Sequence, residues 1–131
     1  MVKIIKGMVM KSPGKELHPD YKITIERMNE KVEVFIDNEK IAETRSAIKL
    51  LEQGYAPVIY IPKNDIKAID LIKNKDYQCP FKGTAEIYNI KHGSHNYENA
   101  AWCYEEPYDE VLEIQGRVAF YPDKVQEIRI S

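Results

Sequence analysis

Short runs of alternating apolar and polar residues, each closed by a turn-forming cluster, recur along this chain from Tyr21 onward. Tyr21, Ile23 and Ile25 alternate with polar neighbours, and Val32, Val34 and Ile36 do the same, which is the period of strands with one face buried. Asp37-Asn38 follows directly, and both residue types tolerate the positive φ of a tight hairpin. Val58-Ile59-Tyr60-Ile61 is β-branched and aromatic and stops at Pro62, and Asp65 to Leu71 continues as turn and short strand. Further short runs, Thr84 to Ile90, Ala101 to Tyr104, Gly116 to Tyr121 and Val125 to Ile130, are separated by clusters such as His92-Gly93-Ser94-His95 and Tyr121-Pro122-Asp123. One stretch reads as a helix: from Thr44 to Gly54, Thr44 or Ser46 can cap, Ile48 and Leu51 share a face, and Gly54 can close it. The expected fold is mainly β, a small single-domain antiparallel sheet fold with one or two short helices.

Residues 1–20 carry Gly, Pro, Lys and His18-Pro19-Asp20 without a sustained period. They read as a loosely attached lead-in, with a short strand near Lys3 to Val9, before a single β domain over 21–131. At 131 residues one domain is the default. The 44% hydrophobic and 31% charged content excludes disordered and fibrous classes. Basic and acidic residues nearly balance, 19 against 21, so bulk coating of nucleic acid or of an anionic membrane is not expected. The apolar runs are too short to span a bilayer, and Lys3, Lys6, Lys11 and Pro13 interrupt the start, so neither a membrane segment nor a signal peptide is expected. Two cysteines without a secreted scaffold fit a reducing cytoplasm.

Neither a Gly-x-x-x-x-Gly-Lys-Ser/Thr loop nor a Gly-x-Gly-x-x-Gly turn is present, which removes the usual routes to mononucleotide binding. Cys79, His92, His95 and Cys103 are four potential zinc ligands, but none of their spacings is Cys-x-x-Cys, and no metal or cofactor is expected. Cys79 sits in Cys79-Pro80-Phe81-Lys82-Gly83, a loop fixed by Pro and Gly where Lys82 can act on the thiol, and it is the candidate catalytic residue. A buried, unreactive Cys79 is the competing reading. Glu105-Glu106 and Asp109-Glu110 flank Pro107 and read as a solvated rim, since acid–base work needs held geometry.

Strand alternation gives the stronger lead. Around Tyr60-Ile61, Trp102-Cys103-Tyr104 and Ala119-Phe120-Tyr121, the phenols and the indole point to one side and Ile59, Ile61, Val118 and Phe120 to the other. Tyr60, Trp102, Tyr104 and Tyr121 then line a concave aromatic surface, with Lys82 and Arg45 reaching it as donors, which is the make-up of a ligand pocket. The alternative is that these rings are simply core.

Three stretches together resemble a known family: Ala42-Glu43-Thr44-Arg45 with Leu50-Leu51-Glu52 and Tyr60-Ile61-Pro62; Cys79-Pro80-Phe81-Lys82-Gly83; and Glu98-Asn99-Ala100-Ala101-Trp102 with Tyr104 and Gly116 to Pro122. In order and spacing they resemble domain-of-unknown-function family 427, over about Tyr21 to Ile130. The resemblance implies a small, mostly β domain like the β-tent group, which includes methionine sulfoxide reductase B, translationally controlled tumour protein and the ligand-binding domain of cereblon. It implies no reaction. Members are often labelled nucleotidyltransferases, yet this chain has no Gly-Ser followed by Asp-x-Asp to hold the metal ions of that chemistry. It also lacks the paired Cys-x-x-Cys motifs with which several β-tent proteins hold zinc, and carries Cys103 where a serine is common. The positions that match the family motifs are Arg45, Tyr60, Pro62, Cys79, Pro80, Lys82, Gly83, Trp102, Tyr104 and Tyr121.

The leading expectation is a cytoplasmic domain that binds a small anionic or planar ligand through Arg45, Tyr60, Lys82, Trp102, Tyr104 and Tyr121. A thiol-dependent enzyme using Cys79 and a protein-interaction module are the alternatives. Arg45 and Lys82, read as solvent-accessible, are expected to be replaceable by Ala at little cost to folding.

Overall fold

Two antiparallel sheets form because the alternating runs find partners far away in the chain. The computed structural model describes residues 11–131, so the strand expected near Lys3 to Val9 lies outside the described residues. The larger sheet has seven strands: β1 (Ile23–Arg27), β4 (Ile48–Glu52), β5 (Val58–Pro62), β9 (Arg117–Phe120), β8 (His95–Pro107), β7 (Gly83–His92) and β6 (Asp70–Cys79), in that spatial order. The smaller has three, ordered β10 (Glu127–Ile130), β2 (Val32–Ile36) and β3 (Glu39–Thr44). The described residues thus form a single small domain, mainly β. Among the described residues no helix is long and apolar enough to cross a membrane.

Asp37 (φ 50°) and Asn38 (φ 64°) make the two-residue turn between β2 and β3, with Ile36 paired to Glu39, as the sequence signal requires. One expectation fails. Thr44 to Gly54 is no helix: Thr44 ends β3, the chain bends at Arg45 and Ser46, and Ile48 begins β4. Antiparallel partners on both sides, β1 and β5, supply β4 with its hydrogen bonds and override a weak helical spacing. The polar stretch Ile72 to Gln78, which has no strand period, belongs to the ten-residue β6. As an edge strand it is solvated on its side chains and held by its pairing with β7.

The small sheet packs on one face of the large one. Val32, Val34, Ile36 and Ile41 there meet Ile61, Ile90, Val118 and Phe120 in a buried cluster. On the opposite face Leu50, Tyr60, Ala85, Ile87, Tyr104 and Ala119 form a second cluster, closed in part by the 3-10 segment Asp109–Ile114 through Val111 and Ile114. The split into aliphatic and aromatic faces follows the alternation of β5, β8 and β9.

The described part of the lead-in is tied to the domain. Helix α1 (Pro13–Leu17) is capped by Ser12, whose Oγ accepts from Lys15 N and donates to the Pro80 carbonyl at 2.8 Å. Gly14 N donates to the same carbonyl at 2.8 Å, and Ser12 N donates to Glu110. Tyr21 stacks on Phe81 with ring centroids 3.9 Å apart. The contacts to Pro80, Phe81 and Glu110 are long-range, so no local pattern announces them.

Candidate functional site: an aromatic cavity on the second face

Register brings the aromatic residues together. Trp102 pairs with Ala119, and Ile61 and Cys103 both pair with Val118, so one residue further along β5 places Tyr60 on the far side of Ala119 from Trp102. The small Ala119 lets the indole lean across: Trp102 Nε1 donates to the Tyr60 hydroxyl at 3.1 Å, with the rings edge to face. A second row repeats the device, with Ala85 paired to both Tyr104 and Tyr77. Between and above these rows lies a cavity of about 560 Å³. Tyr60, Lys82, Trp102, Tyr104 and Tyr121 all line it, as does Cys79. The Tyr121 ring lies 4.4 Å from that of Trp102, tilted by 47°.

Arg45 is not among the lining residues. It is exposed in the bend where the chain crosses from the small sheet to the large one, so the helix start that would have aimed it at the cavity does not exist. Lys82 is present, but it is paired and mostly buried. Its Nζ lies 2.5 Å from Glu52 Oε1, with the two side chains only 14% and 10% exposed. The other Glu52 oxygen accepts from the Tyr21 hydroxyl. Burial, followed by that hydrogen bond, raises the Tyr21 pKa well above the usual phenol value. Glu52, Tyr21, Tyr77 and Phe81 are lining residues that the sequence pattern did not single out. Ile48, Leu50 and Glu52 share a face once the segment is read as a strand, and that alternation was the available signal.

Tyr60 and Tyr104 are 1% and 3% exposed, and burial raises both phenol pKa values, so they are protonated at neutral pH. The two cysteines face opposite sides of the sheet. Cys103 is buried in the aliphatic cluster and donates to Glu105, and burial followed by that bond pushes its thiol up to about 12. Cys79 is half-buried on the cavity side, with no hydrogen-bond partner for its sulfur among the described residues, since Lys82 is engaged by Glu52. His92 and His95 meet neither cysteine; both hold Asp37, at 2.9 and 2.8 Å. Among the described residues no cluster of His, Cys, Asp and Glu is arranged to hold a metal. Glu106 and Glu110 are exposed, whereas Glu105 pairs with Lys63 and Pro107 is buried.

A family model described as a domain of unknown function, DUF427, matches residues 24–131. The chain belongs to DUF427. No curated protein matches it. In this DUF427 domain the resembling motifs have separate structural reasons. Cys79-Pro80-Phe81-Lys82-Gly83 is the turn between β6 and β7, and the residues after the cysteine make different contacts. Pro80 accepts from Ser12 and Gly14, Phe81 stacks on Tyr21, and Lys82 reaches Glu52. Gly83 has φ of 115°, and a Cβ there would sit 3.1 Å from the Glu106 carbonyl oxygen. Gly83→Ala is therefore expected to lower unfolding stability by about 2 kcal/mol, measured by urea denaturation. A change of a few tenths would show that the turn adapts.

The tip where the β7–β8 hairpin meets the β2–β3 turn carries its own charge logic. Asp37 accepts from Tyr97, His92 and His95, which hold its carboxyl well below the usual range. His92 also reaches Glu39 at 2.7 Å, and its bonds to Asp37 and Glu39 raise its pKa. A raised histidine adds stability below its ordinary value near 6.5 and loses it as pH rises through the folded value. A depressed carboxylate adds stability above its ordinary 3.8 and loses it as pH falls through the folded value. The lock is thus strongest between about pH 4 and 6.5. The melting temperature is expected to fall between pH 6 and 8.5, and His92→Asn to flatten that slope. An unchanged slope in the variant would assign the pH dependence elsewhere.

Proposed function

We propose that this DUF427 domain is a binding module whose cavity takes a small, planar, uncharged ligand between aromatic walls. The observation that carries the reading is the Lys82–Glu52 pair, in a cavity otherwise walled by Tyr60, Trp102, Tyr104 and Tyr121. The lysine that suggested an anionic ligand is already neutralised, and Arg45 stands elsewhere, so an entering anion would meet Glu52 without a free cation to offset it. Stacking surface remains, and flat rings are what it favours.

The test uses the chain's single tryptophan, which lies on the cavity wall. Panels of neutral planar heterocycles, their carboxylated counterparts and aliphatic amides of similar size are titrated by thermal shift and Trp102 emission. Saturable stabilisation by the neutral planar panel, weaker for the carboxylates, is the expected result. Equal or better binding by the carboxylates or the aliphatic amides would overturn the reading.

A further inference from the structure

Hydrogen-bonding capacity is left unused on the cavity wall. The Tyr104 hydroxyl makes no hydrogen bond to any described residue, although the residue is only 3% exposed. No fully enclosed side-chain nitrogen or oxygen among the described residues lacks a partner, so this hydroxyl opens on the cavity that its ring lines. Tyr60 has a similar remainder. Its oxygen accepts from Trp102 Nε1, which leaves its own O–H proton without an acceptor among the described residues. Both rings rise from the same face, on strands that flank β9. A ligand that covers these donors without pairing them costs free energy, and one that offers them an acceptor avoids that cost.

We infer that the ligand presents a hydrogen-bond acceptor oxygen, of the ring-carbonyl kind, to the hydroxyls of Tyr60 and Tyr104. This rests on the planar-ligand reading and adds the orientation of the ligand's polar edge. Trp102 fixes the acceptor side of the Tyr60 oxygen, so the Tyr60 proton turns away from the indole. A ring bearing an amino group at that position would set donor against donor. Discrimination of this kind is stronger than shape alone can supply, because the wrong ligand leaves buried polar groups unpaired.

Matched probes test it: quinolin-2-one against 2-aminoquinoline, and pyridin-2-one against 2-aminopyridine, by calorimetry at a pH alkaline enough to keep both amines uncharged. The carbonyl member of each pair is expected to bind about tenfold more tightly. Tyr104→Phe, which keeps the ring, is expected to remove that preference by weakening the carbonyl probe alone, and Tyr60→Phe gives a second, independent variant. Equal affinity within both pairs, unchanged in both variants, would overturn the acceptor inference and leave the planar site standing. Binding by no member of either pair would overturn the planar site and this inference together.

Discussion

Replacing Lys82 by Ala is expected to cost about 3 kcal/mol of unfolding stability, because the change strands Glu52 as a nearly buried carboxylate. Sequence reasoning points the other way, to a solvent-accessible lysine that can be removed with almost no effect. The pair's geometry decides between them: Lys82 Nζ is 2.5 Å from a Glu52 oxygen, and neither side chain is more than 14% exposed. The Tyr21 hydroxyl remains on the other oxygen and softens the loss. The double variant Lys82→Met with Glu52→Gln is expected to recover most of the stability, since removing both charges removes the desolvation penalty with the attraction. Urea denaturation of both single variants and the double completes a cycle that isolates the coupling. A Lys82→Ala loss below about 0.5 kcal/mol, the range of an ordinary surface site, would mean that the pair is solvated. Arg45→Ala, in its exposed bend, is the control expected within that range.

Trp102→Ala is expected to cost about 3 kcal/mol and to abolish binding of any planar ligand. The substitution removes the indole's packing against Tyr121 at 4.4 Å and its edge-to-face contact with Tyr60, and takes away the donor held by the Tyr60 oxygen. Two alanines already stand near the indole and opposite Tyr104, Ala119 and Ala85, so a third small residue would leave a floor without a wall. Trp102→Phe is expected to recover more than half of the stability. Since it lacks the N–H, it separates ring packing from the bond to Tyr60. A Trp102→Ala variant as stable as the wild type, by urea denaturation, would reduce this side chain to a surface ring.

The aromatic face was legible in the sequence because period-two alternation is a local property of an extended chain. Within each run alternation sets Tyr60 opposite Ile59 and Ile61, Trp102 and Tyr104 opposite Cys103, and Tyr121 opposite Phe120, and the four rings share one face because β5, β9 and β8 are neighbours in the sheet. The Asp37-Asn38 hairpin was legible for the same reason, since positive φ at two adjacent residues is written in those residue types. The family motifs reached the same residues from another direction.

Tertiary structure decided everything that depends on which strands meet. Glu52 was hidden because Ile48 and Leu51 share a face in a helix while Ile48 and Leu50 share one in a strand, and only the backbone partners on β1 and β5 break that tie. The partner of Lys82 lies 30 residues away, and its choice turned a supposed ligand donor into half of a buried ion pair. Arg45 shares a motif with the cavity residues but not their place, because the chain changes sheets at its bend. Sequence alone therefore determined which side chains share a face within each strand, since backbone geometry sets that one residue at a time. Only the fold determined which faces close on a cavity and which charges cancel there, since both depend on contacts between segments that local sequence does not couple.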